Sequence, residues 1–171
     1  MDQMWSPWRS QHLERLTTPT SAPSDGRSLF ERLAQEARDE ENFIVWRGTA
    51  VFVIMNLYPY NNGHLLIVPY RRVADYESLT PEEQVEIART IERCIGWLRQ
   101  ALRPEGFNVG MNLGAAGGAG VPDHLHVHVV PRWSGDTNFM ATAADVKVIP
   151  EAMEQTYRKL CEAVAAQDAA G

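Results

Sequence analysis

Cysteine is scarce in this chain. Cys94 and Cys161 are the only two among 171 residues, far apart and in no metal-ligand spacing. That argues against a disulfide framework and a cysteine-built metal site, and fits two reduced thiols. Long apolar runs are missing too: no stretch approaches the ~20 residues that a membrane-spanning helix requires, so no membrane partner is expected. The opening residues, MDQMWSPWRSQH, lack the apolar core of a secretory leader, and a cytoplasmic location is the expectation. Positive charge is in short supply. Lys and Arg number 16 against 22 Asp and Glu, a net −6 with histidine neutral. A long nucleic acid needs a basic footprint and is excluded as a partner, whereas a small anion needs only a local cluster of donors. Histidine numbers only five, yet three of the five occupy alternate positions of one pentapeptide.

What is present fits a soluble globular protein, at 44% hydrophobic and 22% charged residues. The length suits one domain, which would bury roughly 70% of its unfolded surface. Residues 1–27 read as an N-terminal arm, because TTPTSAPSDG is loop-forming. Trp5 and Trp8 in that arm are expected to pack on the body or on a partner chain. Residues 28–171 read as a single domain. Ser28 to Asn42 looks helical, with Leu29, Leu33 and Ala37 at spacing four. FIVWRG and AVFVIMN read as strands joined at Gly48, NLYPYNNG as a connector, and HLLIVPY as a third strand. Thr80 opens a long helix as N-cap, with Pro81 at its first position and Glu82 and Glu83 at its positive end. FNVGMNL and HLHVHVVPRW add two strands, 146–148 a short further one, and a last helix starts at Pro150. Consecutive strands with inserted helices predict an α+β fold with a mainly antiparallel sheet of about five strands, a long helix and a C-terminal helix.

His124, His126 and His128 alternate with Leu125, Val127 and Val129. On a strand, alternate side chains share a face, so the imidazoles point one way and the aliphatics into the core. Two chemistries fit such a strip. One is a metal site built from two histidines and a carboxylate such as Asp123 or Asp136. The other is a neutral imidazole that attacks phosphorus, with its neighbours orienting it and bonding phosphate oxygens. The preceding loop, GAAGGAG over residues 114–120, favours the second reading. Its bare backbone can approach a phosphate closely. It lacks the Lys-Ser/Thr of a Walker loop, and it precedes a strand, not the helix of a dinucleotide fingerprint.

HLHVHVVP matches the His-x-His-x-His-x-x motif, and the chain resembles the histidine-triad (HIT) superfamily of nucleotide hydrolases and transferases over roughly residues 28–135. NLYPYNNGHLLIVP is similar to that family's upstream segment, and the flanks resemble a bacterial branch of diadenosine tetraphosphate phosphorylases and hydrolases. The resemblance implies His126 as nucleophile at the α-phosphate, His128 as phosphate and leaving-group partner, and His124 as an orienting residue. It implies Asn56 at the ribose hydroxyls, His64 beside the ligand or behind the triad, and Asn112 at the phosphates. Gly118, Ala119 and Gly120 align with a loop that usually carries Gly-Gln-Ser or Gly-Gln-Thr, so phosphate binding here leans on backbone N–H groups.

Two further comparisons with the family matter. Ser28 and Glu31 stand where many bacterial relatives have a zinc-binding Cys-x-x-Cys, so no metal site is expected. His128 is retained where uridylyltransferase relatives have glutamine, which favours the hydrolase and phosphorylase side. The expected substrate is a nucleotide or dinucleoside polyphosphate, with inorganic phosphate as a co-substrate of the phosphorylase reaction. No cofactor is required, and Mg²⁺ is compatible as company for the polyphosphate. Family members are usually homodimers. The rival functions are a purine nucleoside phosphoramidate hydrolase and a non-catalytic nucleotide-binding regulatory or scaffold protein. Arg132 is a candidate phosphate cation; Trp46, Phe52 and Trp133 are candidate base-pocket walls, with core packing the plainer reading.

Overall fold

The computed structural model describes residues 26–136 and 151–169. The expectations for Trp5, Trp8 and the strand at 146–148 lie outside these residues. Five strands, β1 (Ile44–Arg47), β2 (Val51–Met55), β3 (Leu65–Pro69), β4 (Gly106–Met111) and β5 (Val127–Arg132), form one sheet in the order β1-β2-β3-β5-β4. Every neighbouring pair is antiparallel. The expected α+β architecture is present, with the long helix inserted between β3 and β4.

Period-two alternation divides the core. Val51, Val53 and Met55 of β2, Leu65 and Ile67 of β3, and Val127 and Val129 of β5 enter one cluster with Trp97, Leu98 and Leu160. Phe52, Ile54, Leu66 and Val68 enter a second cluster with Phe30. Two helices belong to the first layer: α3 (Pro81–Leu102) and α4 (Met153–Asp168). In α3 the Thr80 hydroxyl accepts from the Glu83 N–H while the Glu83 carboxylate accepts from the Thr80 N–H, a capping box with Pro81 inside it. The helix also clamps the β1–β2 turn, because the Glu86 carboxylate takes the N–H groups of Thr49 at 2.8 Å and Ala50 at 2.9 Å.

Three boundaries differ from the sequence reading. Residues 28–42 form two short helices, α1 (Leu29–Gln35) and α2 (Asp39–Asn42), broken where Ala37 turns left-handed at φ 51°. The cause is Arg47. Its guanidinium takes the Ala34 carbonyl at 2.9 Å, the acceptor that residue 38 would need for the helix to continue, and grips Asp39 with two nitrogens. The histidine segment joins the regular sheet only at Val127. Before that, the Leu125 N–H bonds the Val73 carbonyl at 2.6 Å, outside the ladder of β3. The last helix starts at Met153 instead of Pro150.

Candidate active site

The face of the sheet opposite α3 and α4 carries a cavity of about 270 Å³. Its lining includes Leu29, Phe30 and Leu33 of α1, Ile54 and Leu66 from the strands, and the polar or bare positions His126, His128, Asn112, Gly118 and Gly120. The triad lies on this face because its parity is that of Leu66 and Val68: Leu66 pairs with His128 in the ladder. The intervening Leu125, Val127 and Val129 are buried in the helix-covered cluster. Phe30 packs against two of the rings, with centroids 5.4 Å from His124 and 5.2 Å from His126.

The hydrogen bonds assign each proton. A carbonyl oxygen only accepts, so the 2.9 Å contact of His126 Nδ1 with the His124 carbonyl places a proton on Nδ1. The neutral ring then has its lone pair on Nε2. His124 Nε2 donates likewise to the Pro69 carbonyl at 2.8 Å, which leaves Nδ1 to accept from the Ser28 hydroxyl at 2.6 Å. Ser28 is also the N-cap of α1, accepting from the Glu31 N–H. On the other side, the Tyr60 N–H donates to His64 Nδ1 at 3.1 Å, so His64 carries its proton on Nε2. That proton goes to His128 Nδ1 at 2.9 Å. His128 must therefore be protonated on Nε2, and this buried atom has no partner among the described residues. A buried donor without an acceptor is rare, and it marks a place where a ligand supplies the acceptor.

Burial keeps all four rings neutral. It pushes His64 down to about 3 and His128 down to about 4, reinforced by the positive charge that neighbouring imidazoles would carry. Burial also lowers His124 and His126 from the ordinary histidine value. A nucleophilic imidazole with a free Nε2, and an N–H donor 5.0 Å away between ring centroids, thus face one cavity.

The other residues singled out from the sequence fall in different places. Asn56 lines the cavity at the end of β2. Its Oδ1 accepts from the Tyr58 N–H at 2.9 Å and its Nδ2 reaches His64 Nδ1 at 3.3 Å. His64 and His124 stand behind the lining residues, each bonded to a neighbour. Asn112 lines the cavity while its Nδ2 holds the Gly118 carbonyl at 3.2 Å. The glycine loop departs from the expectation. The N–H groups of Gly118 and Ala119 bond inside the loop, to the Ala115 and Gly114 carbonyls, and Ala119 is buried outside the lining set. The short 3₁₀ turn at Ala115–Gly117 consumes them, with Gly114 and Gly118 at φ 69° and 84°.

Arg132 is held by Asp136 through two nitrogens and by Asn108, away from the lining residues. Trp133 bonds the Arg103 carbonyl, while Trp46 packs on Trp97 and Phe52 on Tyr70; none of the three lines the cavity. Asp123 pairs with Arg72. Sequence reasoning did not place Ser28 against the triad, although Ser28-x-x-Glu31 has the form of a capping box.

Comparison with known proteins now bears on this geometry. The HIT domain family model matches residues 37–135. This chain belongs to the HIT family. Within that family, a Mycobacterium tuberculosis protein named AP-4-A phosphorylase is 42% identical over 163 residues, 94% of this chain and 83% of its own length. A Schizosaccharomyces pombe asymmetrical bis(5′-nucleosyl)-tetraphosphatase is 33% identical over 88 residues, 52% of this chain and 47% of that one. A zinc-bound histidine-triad protein from Mycobacterium smegmatis superimposes with a TM-score of 0.67 at 26% identity, over 83% of this chain and 95% of that one. The HIT domain described here, with its triad intact, is an enzyme.

Proposed function

We propose that this HIT protein is a diadenosine tetraphosphate phosphorylase, acting by nucleotidyl transfer through His126. The observation that carries the proposal is the pair of proton assignments: a free Nε2 on His126 and an unpartnered Nε2–H on His128, both at the same cavity. His126 Nε2 forms a bond to the α-phosphorus as the bond from phosphorus to the leaving oxygen breaks. The His126 ring becomes cationic, and the Nδ1–H bond to the His124 carbonyl strengthens as it does. The leaving oxygen keeps its electron pair and accepts a hydrogen bond from His128 Nε2. In the second step an acceptor oxygen bonds phosphorus, the phosphorus–nitrogen bond breaks, and His126 returns neutral.

The same assignments separate the alternatives. A phosphate-chain leaving group needs only a hydrogen bond, whereas an amine leaving from a phosphoramidate needs a full proton. His128, pushed down to about 4, is not an imidazolium near neutral pH. For the acceptor, water must lose a proton, and His128 Nε2 already carries one and cannot take it. Inorganic phosphate arrives as an anion and needs no base. Phosphorolysis to ADP and ATP is therefore favoured over hydrolysis, in keeping with the M. tuberculosis relative. No Lys or Arg lines the cavity among the described residues, so Mg²⁺ carried on the substrate's own phosphates would offset their charge. A cytoplasmic homodimer completes the reading: β4 is an edge strand, with exposed Val109 on it and exposed Leu113 just beyond.

The test is incubation with diadenosine tetraphosphate, with and without inorganic phosphate, and identification of the products. ADP and ATP formed only with phosphate support the proposal. AMP and ATP without phosphate assign hydrolysis instead. No turnover in either mixture refutes it.

A further inference from the structure

Apart from the triad histidines and Asn112, the polar side chains among the described lining residues are Glu41, Asn42, Asn56, Tyr58 and Tyr60. Asn56 and Tyr60 sit by the triad's supporting His64, and Tyr58 is largely exposed, which leaves Asn42 and Glu41. Both come from α2, which exists because the chain breaks at Ala37. The same break brings Glu36, the C-cap of α1, back beside Asn42, and Asn42 Nδ2 donates to the Glu36 carboxylate at 2.9 Å. A carboxylate only accepts, so it holds the amide in one of its two orientations and leaves Oδ1 on the side away from Glu36. Glu36 is not a lining residue; Asn42 is. Glu41 is engaged by Arg38.

We infer that Asn42, held in place by Glu36, reads the base of the bound nucleotide, and that it selects a base with an exocyclic amino group at the edge it meets. The inference rests on the nucleotide reading above. Leu29, Leu33 and Ile54 line the same cavity and offer a flat ring apolar surface to pack on. Asn42 Oδ1 then meets the ring edge as an acceptor. The 6-amino group of adenine donates to it, whereas the 6-keto oxygen of hypoxanthine or guanine opposes it with a second acceptor. Glu36 acts as a positioning residue: without its carboxylate the amide can turn, and a turned amide offers a donor to the keto oxygen. Glu41, were it the reader, would instead accept from the two adjacent N–H groups of guanine.

The experiment is calorimetric titration of the full chain with four nucleoside 5′-monophosphates: AMP, purine riboside monophosphate (no 6-substituent), IMP and GMP. AMP should bind about 10-fold tighter than purine riboside monophosphate, one hydrogen bond's worth, and tighter still than IMP. In Glu36→Gln the AMP preference over IMP should fall several-fold, since glutamine can donate as well as accept. Asn42→Leu should abolish it. Equal binding of AMP and purine riboside monophosphate overturns the inference, as does a full preference retained in Asn42→Leu. GMP binding tighter than AMP assigns the edge to Glu41 and also overturns it. Failure of all four nucleotides to bind strikes the nucleotide reading itself. Glu36 is exposed, so Glu36→Gln carries the test if Asn42→Leu does not fold.

Discussion

Acid should unfold this protein through its site before it unfolds it through its carboxylates. The four site histidines are buried and neutral, and their folded values lie below the ordinary 6.5. Stability from such groups is present above 6.5 and is lost as pH falls toward the folded values, because the unfolded chain binds protons that the folded chain refuses. Between pH 7.5 and 5.5 an unfolded imidazole goes from about 9% to about 91% protonated. His64 at about 3 and His128 at about 4 stay neutral in the folded state over that range. Each therefore removes about 1.4 kcal/mol, and together they remove about 3 kcal/mol from a total on the order of 5–15. His124 and His126 act in the same direction. Carboxylates contribute little in this window: Glu83 and Glu151 have folded values lowered from 4.5, so their losses come at lower pH. Urea unfolding at pH 7.5, 6.5 and 5.5 measures the loss. The double variant His64→Gln/His128→Gln should lose about 3 kcal/mol less than the wild type across the same interval. If the two proteins lose equal stability, the neutral buried state of these rings is wrong.

Other outcomes follow from the same structure. His126→Ala should abolish turnover while shifting the melting temperature by only a few degrees; a wild-type rate in that variant removes it as nucleophile. Ser28→Ala deletes the N-cap of α1 and the donor to His124 Nδ1, and should cost about 1–3 kcal/mol, with kcat falling more than KM rises. Ser28→Thr, which keeps the hydroxyl, should restore most of kcat in steady-state assays. Gly63 sits at φ 73°, and a Cβ there would run into Leu102 and lie 3.1 Å from Leu98, so Gly63→Ala should destabilise by about 1–3 kcal/mol in thermal melts. An unchanged melting temperature would contradict the packing around the Gly63–His64 turn.

The face division of the histidine segment was legible in the sequence because alternation is a local property: Leu125, Val127 and Val129 needed no partner to declare their side. The long helix was legible for the same reason, since Thr80, Pro81 and Glu83 form its start among themselves. What escaped depended on contacts far along the chain. Ser28 reaches His124 across 96 positions. The sequence left His64 open between the ligand and the back of the triad, and the register of β3 and β5 puts it on His128, 64 positions away. The carbonyl left free at the Ala37 break is taken by Arg47, ten residues beyond Ala37 on another element. The glycine loop was read correctly as loop, but its turn geometry, and hence where its N–H groups point, is fixed by Gly114 and Gly118 together.

The two-layered alternation of β2 and β3 also bears on how this enzyme could change over generations. Ile54 and Leu66 touch the cavity, while their neighbours Val53, Leu65 and Ile67 pack in the helix-covered layer; Met55, at the end of β2, belongs to both. Away from Met55, a substitution at one parity reshapes what the cavity accepts, and one at the other parity changes the scaffold beneath. New ligand preferences can thus be explored at alternate positions of the same strands while the frame that holds His126 stays as it is.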